Sequence, residues 1–268
     1  MRRSIGLALA LLGAMSCAAT AQQLKTETVT VNVRPGVTMR YLAVSADQPK
    51  AAVILLPGGN GALKLDEKGN IGSLAGNFLI RSRNMFAREG LYVAALDAAS
   101  DQQGGMNGQV RLSQQHAQDV AKVITDVNKR ANVPVWLIGT SAGTLTEANV
   151  GARLHSGRPY GLVFTSTMTQ LQPGLCGKSV YDAQLSEFTG PALVVSHSAD
   201  GCGCSPGGAG PNNKLLAALK GASAKEQQVF TGGRTPTSGP CDAFAQHGYF
   251  GIEGSVVKAI ADWIKSRH

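Results

Sequence analysis

Apolar residues in the centre of this chain form short continuous runs and do not alternate strictly with polar residues. The runs cover residues 51–56, 91–96, 133–138, 162–165 and 192–196. Runs this short are typical of strands that are buried on both faces, as in a parallel sheet. Residues 227–231 are interpreted as a last strand. The pattern therefore predicts a mostly parallel sheet at the centre of the fold.

Segments with helical spacing of apolar residues separate these strands and follow the last one. They cover residues 73–89, 113–130, 142–154, 214–219 and 251–266, while residues 97–108 are expected to form a loop. Near the start of the chain, residues 26–33 alternate polar and β-branched side chains, and residues 37–44 are their predicted hairpin partner. We therefore expect an α/β domain, with helices on both faces of a twisted sheet that opens on an antiparallel hairpin.

The first residues have the pattern of a secretory signal peptide. Arg2 and Arg3 provide a basic start, residues 5–15 form an almost unbroken apolar run, and an A-x-A site predicts cleavage after Ala21. Lipoprotein processing at Cys17 is the less favoured alternative, because Ala14 is a poor match for the aliphatic residue it requires. We expect residues 1–21 to be a signal peptide and residues 22–268 a single domain in the periplasm or outside the cell.

Removal of Arg2 and Arg3 lowers the formal net charge from +8 to +6. Residues 22–268 contain no run of Lys or Arg longer than two and few aromatic residues. Binding of nucleic acid is therefore not expected, although the charge alone would suggest it. Stable membrane insertion after removal of the signal is not expected either.

The pentapeptide Gly139-Thr140-Ser141-Ala142-Gly143 has the pattern G-x-S-x-G. It follows the apolar run 133–138 and opens a helical segment, which is the strand–turn–helix setting that a nucleophile elbow requires. Glycines on both sides leave room for a strained turn that exposes the serine hydroxyl. An ordinary glycine-rich turn, with Ser141 as a helix N-cap, is the alternative interpretation.

With this motif and this order of elements, the chain resembles the α/β-hydrolase superfamily of serine hydrolases, and within it small esterases and dienelactone-hydrolase-like enzymes. The resemblance implies a nucleophile, an acid and a histidine in that order along the chain. Ser141 would be the nucleophile. Asp200, shortly after the strand at 192–196, would be the acid, and His247 in His-Gly-Tyr-Phe would be the base. Residues 168–190 would form only a minimal cap.

The resemblance also implies an oxyanion hole made of backbone amides. Ala142, directly after the nucleophile, would supply one donor. The segment Leu56-Pro57-Gly58-Gly59-Asn60-Gly61 is similar to the His-Gly-Gly-Gly loop of the family, with Pro57 at the His position. Gly59 or Asn60 would supply the second donor, and the departure at Pro57 leaves the choice between them open.

Four cysteines follow the predicted signal peptide, and an even number in an exported chain favours disulfides. If Asp200 and His247 meet, Cys202 and Cys241 lie on adjacent loops and are expected to pair, which leaves Cys176 with Cys204. Cys204 could instead pair with Cys241. A zinc site is the chemical alternative, with these candidate ligands: His197, Cys202, Cys204, Cys241 and His247.

Together these features predict an exported serine hydrolase that cleaves a small or medium carboxylic ester through an acyl-enzyme. No metal and no cofactor is expected, and the predicted partner is a small-molecule ester. The alternatives are a catalytically silent binding protein of the same fold, or a peptidase or amidase. The residues leave the identity of the substrate and the oligomeric state open.

Overall fold

The computed structural model describes residues 23–267 of the chain. The predicted signal peptide, its cleavage after Ala21 and the alternative at Cys17 lie outside the described residues. Within the described part of the chain, no helix is both long and apolar enough to cross a membrane.

Within residues 23–267, eight strands form one sheet in the spatial order β1-β2-β4-β3-β5-β6-β7-β8. The strands are β1 Lys25–Arg34, β2 Val37–Ser45, β3 Ala51–Leu56, β4 Leu91–Ala99, β5 Val135–Ser141, β6 Gly161–Thr167, β7 Ala192–His197 and β8 Lys225–Phe230. The first pairs, β1 with β2 and β2 with β4, are antiparallel, and all later pairs are parallel. The structure confirms the predicted mostly parallel sheet with its initial hairpin.

The described residues 23–267 form seven α-helices, and six of them lie against the two faces of this sheet. The seven helices are α1 Phe78–Arg81, α2 Arg83–Arg88, α3 Gly108–Arg111, α4 Gln114–Ala131, α5 Gly143–Arg153, α6 Ala209–Ala218 and α7 Glu253–Lys265. Helices α4, α5 and α6 contribute apolar side chains to one core cluster, and α1, α2 and α7 contribute to the cluster on the opposite face. Because both faces are covered, every residue of β3, β4, β6 and β7 is buried, which explains their continuous apolar sequences.

Several predicted segments differ from the structure in their bounds. Helix α6 begins at Ala209, five residues before the helix expected over 214–219, and β5 ends at Ser141 and not at residue 138. The helix expected over 73–89 is two short helices, because it begins only after Asn77, whose side chain accepts a hydrogen bond from the Leu79 amide, and because Ser82 leaves helical geometry between α1 and α2. The loop expected over 97–108 is shorter than predicted. Strand β4 continues to Ala99, because Ala99 pairs with Met39 of β2. The Asp97 carboxylate accepts hydrogen bonds from two backbone amides of the loop after β3.

The parallel strands β3, β5, β6, β7 and β8 all end at the same edge of the sheet. In open α/β sheets this carboxyl edge is where ligands bind, because loops from several strands converge there. The loop after β3, the turn after β5, the loop after β7 and the loop after β8 carry the residues that the sequence singled out.

Candidate active site

Ser141 ends β5 in a sharp turn, and α5 begins two residues later. Its φ of 52° lies in the left-handed region, which side chains rarely adopt outside strained turns. A Cβ on Gly143 would collide with the Leu56 carbonyl oxygen, so only glycine lets α5 begin this close to the end of β3. The Thr144 hydroxyl donates to the Ser141 carbonyl oxygen at 2.6 Å. The predicted strand–turn–helix setting is therefore confirmed.

The buried carboxyl group of Glu147 contacts the backbone just before this turn. The Gly139 amide donates to Oε2 of Glu147 at 2.9 Å, and the Gly139 carbonyl oxygen accepts from the Thr165 hydroxyl at 2.8 Å. Burial raises the pKa of Glu147 well above its ordinary value, although the Gly139 and Val163 amides act in the opposite direction. Burial thus favours the uncharged form of the Glu147 carboxyl group beneath the elbow.

Asp200 and His247 are joined by a buried hydrogen bond. The Nδ1 atom of His247 donates to Oδ2 of Asp200 at 2.9 Å, and the Cys202 amide donates to Oδ1 at 3.0 Å. The Asp200 side chain is 0% exposed and that of His247 is 6% exposed. Within residues 23–267, no protein group hydrogen-bonds to Nε2 of His247. The carboxylate thus fixes one ring nitrogen and leaves the other available for chemistry.

The histidine loop is held against the ends of β6 and β7 by two hydroxyl groups. The Ser166 hydroxyl donates to the His247 carbonyl oxygen at 2.7 Å. The buried Tyr249 hydroxyl donates to the Val195 carbonyl oxygen at 3.0 Å and accepts from the Ser166 amide at 3.1 Å. Ser166 and Tyr249 both have positive φ, at 42° and 55°. These contacts position His247 relative to the strands that precede it.

The loop after β3 approaches Ser141 more closely than any residue with a side chain would allow. A Cβ on Gly58 would lie 2.9 Å from the Ser141 Cβ and 3.0 Å from the Thr140 carbonyl oxygen. Because such separations are shorter than normal contacts, a side chain at position 58 would push the loop away from the elbow. Glycine at this position therefore keeps the backbone of the loop beside the serine.

The structure places the two candidate second oxyanion donors differently. Gly59 lines a cavity together with Ser141 and His247, whereas Asn60 is not part of that cavity wall. The Asn60 side chain turns back on its own loop, where Oδ1 accepts from the Ala62 amide at 3.1 Å. Of the two, Gly59 is the one that lies beside Ser141. Ala142, the first predicted donor, follows Ser141 at the start of α5.

A buried arginine anchors the loop after β3. Arg111 donates to the carbonyl oxygens of Pro57 and Gly59, at 3.2 and 3.1 Å, and to the Thr146 hydroxyl at 3.3 Å. Burial lowers the pKa of Arg111 to about 10. In a trans peptide the N–H points opposite to the C=O, so fixing these carbonyl oxygens fixes the directions of the Gly58 and Asn60 amides, which flank Gly59.

Two disulfides connect the loops around the site, and they are the predicted pairs. Cys202 is bonded to Cys241, which joins the Asp200 loop to the His247 loop, and Cys176 is bonded to Cys204. The zinc alternative required the same cysteines as thiolates, which these bonds do not leave. Among residues 23–267, no group of three or more His, Cys, Asp or Glu side chains is arranged to hold a metal ion.

His197, another candidate in the zinc alternative, has a structural position. Its Nε2 atom bonds the Gly232 carbonyl oxygen at 3.0 Å, and its Nδ1 atom accepts from the Ala199 amide at 3.1 Å. Both ring nitrogens are therefore committed to the backbone of the loops that follow β7 and β8. His197 fixes the path of the Asp200 loop and has no nitrogen left for a ligand.

Two cavities open on either side of the elbow. The first, of about 250 Å³, has a mixed lining: Gly58, Gly59, Leu74, Asn77, Ser141 and His247. The second, of about 460 Å³, reaches Ala142 and is lined partly by the apolar side chains of Leu145 and Met168 and by Cys176. Its far wall belongs to residues 168–190, the predicted minimal cap. Residues 106–109 and 111, at and just beyond the end of the loop expected over 97–108, also line the second cavity.

Fold and site geometry together define an α/β-hydrolase fold: a strained serine turn after the central strand, and an Asp–His pair on later loops. No protein-family model and no curated protein matches the sequence significantly. Among solved structures, an esterase from Pyrococcus furiosus is 11% identical with a TM-score of 0.62, covering 96% of this chain and 96% of the esterase. A dienelactone hydrolase from Anabaena variabilis is 14% identical with a TM-score of 0.59, covering 91% and 97%.

A cold-adapted esterase from an Arctic intertidal metagenomic library is also similar, at 15% identity with a TM-score of 0.53, covering 92% of this chain and 94% of that chain. At these identities the similarity establishes the fold. The predicted resemblance to the α/β-hydrolase fold is confirmed, and the structural neighbours named here are esterases and a dienelactone hydrolase.

Sequence reasoning missed several residues that shape the site, namely Asn77, Arg111, Glu147, Ser166 and Tyr249. Only one local signal was available, since Tyr249 is the aromatic residue of the His-Gly-Tyr-Phe segment. The others act through contacts with residues distant in the chain, and their sequence neighbourhoods are those of ordinary helices and strands.

Proposed function

We propose that the protein is an exported serine hydrolase that cleaves small or medium carboxylic esters, with Ser141 as nucleophile, His247 as base and Asp200 as the orienting acid. The observation that carries the proposal is the buried hydrogen bond between Asp200 and His247 in a cavity that His247 shares with Ser141. The esterase and dienelactone hydrolase neighbours of the same fold support it.

In this reaction the direction of proton transfer follows from the tautomer of His247. Asp200 is an acceptor, so Nδ1 carries a hydrogen and Nε2 of the neutral ring has a free lone pair. His247 Nε2 removes the proton from Ser141 as its oxygen attacks the ester carbonyl carbon. The imidazolium, stabilised by Asp200, then protonates the leaving alcohol. Water attacks the acyl-enzyme, again with His247 as base, and releases the acid.

The negative charge on the carbonyl oxygen of the tetrahedral intermediate would be held by the Ala142 and Gly59 amides. Support for Gly59 over Asn60 comes from its place in the cavity wall beside Ser141. The buried Arg111 guanidinium holds the Gly59 carbonyl oxygen and so keeps this loop in one conformation before substrate arrives. Donors fixed in advance stabilise a developing charge without reorganising during the reaction.

The size of the cavities supports a modest substrate. At about 250 and 460 Å³, one lies just below and the other in the lower part of the range of about 300–1,000 Å³ for small-molecule sites. One cavity would take the acyl group and the other the alcohol. Export is supported by the two disulfides, because such bonds persist in oxidising compartments.

A fluorophosphonate probe tests this proposal on purified protein that begins after Ala21. We expect stoichiometric labelling of the wild type at Ser141, located by peptide mass spectrometry, and no labelling of Ser141→Ala. A series of p-nitrophenyl esters from acetate to octanoate then measures the acyl preference. Absence of labelling and of ester hydrolysis in folded wild-type protein would favour the silent binding protein and refute the proposal.

A further inference from the structure

Asn77 lines the smaller cavity. The oxygen of its side-chain amide accepts a hydrogen bond within the protein, whereas within residues 23–267 its amino group donates none. Its Oδ1 atom accepts from the Leu79 amide at 3.2 Å at the start of α1. This contact fixes the orientation of the planar amide, because the oxygen must face the helix. Among the described residues, no acceptor takes a hydrogen bond from Nδ2. The amino group therefore points away from the helix with both of its hydrogens available.

The free amino group lies close to the reacting serine. The position that a Cβ on Gly58 would occupy is 2.9 Å from the Ser141 Cβ and 3.5 Å from Nδ2 of Asn77. The amide of Asn77 and the side chain of Ser141 therefore both approach the same point of the loop after β3. Asn77, Ser141 and His247 line the same cavity of about 250 Å³. An ester attacked by Ser141 would thus have its polar atoms within reach of the amide.

We propose that Asn77 is a further catalytic residue whose side-chain amide donates a hydrogen bond to the ester oxygen that becomes negative when Ser141 attacks. It adds a side-chain donor to the backbone amides of Ala142 and Gly59. An uncharged donor fixed by its own cap contact gains strength as the oxygen gains charge. The inference rests on the proposed ester hydrolysis at Ser141 and deepens it.

The capping contact makes a sharp test possible. Serine and aspartate cap helices about as well as asparagine, whereas alanine costs on the order of 1 kcal/mol. Asn77→Ser and Asn77→Asp therefore keep the cap but lose the amide N–H, and Asn77→Ala loses both. We expect kcat for a p-nitrophenyl ester to fall about 100-fold in the serine and alanine variants. The aspartate variant should fall further, because its carboxylate faces the developing negative charge.

Thermal unfolding separates this effect from a structural one. The serine and aspartate variants should melt close to the wild type, and only Asn77→Ala should melt lower. The second-order rate of fluorophosphonate labelling should fall in parallel with kcat, because the phosphonyl oxygen occupies the position of the ester oxygen.

The two proposals fail differently. Labelled, active wild type together with serine and aspartate variants within threefold of its kcat would overturn the role of Asn77 and leave the hydrolase intact. A loss of kcat that follows the melting temperature across the three variants would equally assign Asn77 a capping role alone. Wild type that is neither labelled nor active would refute both.

Discussion

The disulfide between Cys202 and Cys241 should stabilise the fold and the site together, and its removal measures both effects. The bond closes a loop with a sequence separation of 39 residues. Loop-closure entropy for this length corresponds to about 4 kcal/mol at 25 °C. For a domain of this size, 1 kcal/mol shifts the melting temperature by about 2 to 4 °C. The double variant Cys202→Ala, Cys241→Ala should therefore melt about 8 to 16 °C below the wild type.

The second disulfide provides a matched control for this variant. Cys176 and Cys204 are separated by 28 residues, which gives about 3.6 kcal/mol by the same relation, so the two double variants should lose nearly equal stability. Their activities should differ. The Cys202 amide holds Oδ1 of Asp200, so loss of the first bond frees the acid loop and the histidine loop together. Loss of the second alters the cavity wall at Cys176.

The assay combines guanidinium unfolding, followed by near-UV circular dichroism, with steady-state hydrolysis of a p-nitrophenyl ester at 25 °C. We expect the larger fall in kcat for the variant without the Cys202–Cys241 bond, and a change mainly in KM for the other. If removal of the Cys202–Cys241 bond lowered stability by less than 1 kcal/mol, the loop-closure argument would be refuted. Equal kcat values in the two double variants would refute the link between this disulfide and the Asp200–His247 pair.

Three further predictions concern the surroundings of the serine. The free energy of unfolding of Glu147→Gln should rise relative to that of the wild type as the pH rises from 5 to 8. Burial raises the pKa of Glu147 in the folded state above the ordinary 4.5, so the wild type loses stability as the pH rises towards that folded-state pKa. Glutamine does not titrate and loses none. Urea unfolding at both pH values checks this, and a pH-independent difference would contradict it. Tyr249→Phe should lose about 2 kcal/mol in the same assay, since it leaves two buried backbone groups unpaired; an unchanged midpoint would show that neither bond matters. Gly58→Ala should lose about 100-fold in kcat with a much smaller change in melting temperature, because the added Cβ moves an oxyanion donor away from Ser141; full activity would exclude that close approach.

The central sheet could be predicted from sequence because its strands are buried on both faces. Apolar residues are then required at every position, and a continuous run such as 51–56 is visible without knowledge of its neighbours. The helix predicted over 73–89 was wrong in its boundaries for the opposite reason. The residues before Phe78 line the smaller cavity and are not helical, although their apolar residues have helical spacing. The spacing alone does not show that the helix begins only after Asn77.

In the candidate site, too, the features that depend on local sequence could be predicted, and those that depend on contacts between distant residues could not. Ser141 could be proposed from sequence because a strained elbow needs glycines in fixed local positions, and Asp200 and His247 could be proposed from their order along the chain. The sequence leaves the choice between Gly59 and Asn60 open, since it depends on where the loop after β3 lies relative to α5. Arg111 looked like one arginine among many, because its acceptors in that loop are far away in sequence.

The two disulfides together form a continuous covalent connection from the wall of the larger cavity to the loop that carries His247. One link holds the wall of the larger cavity at Cys176 to Cys204, and the other holds Cys202 to Cys241, with a single residue between the two anchor points. A displacement of the wall at Cys176 is therefore transmitted through a very short segment to the loops that carry Asp200 and His247. We therefore expect the mouth of the larger cavity to keep a nearly constant width.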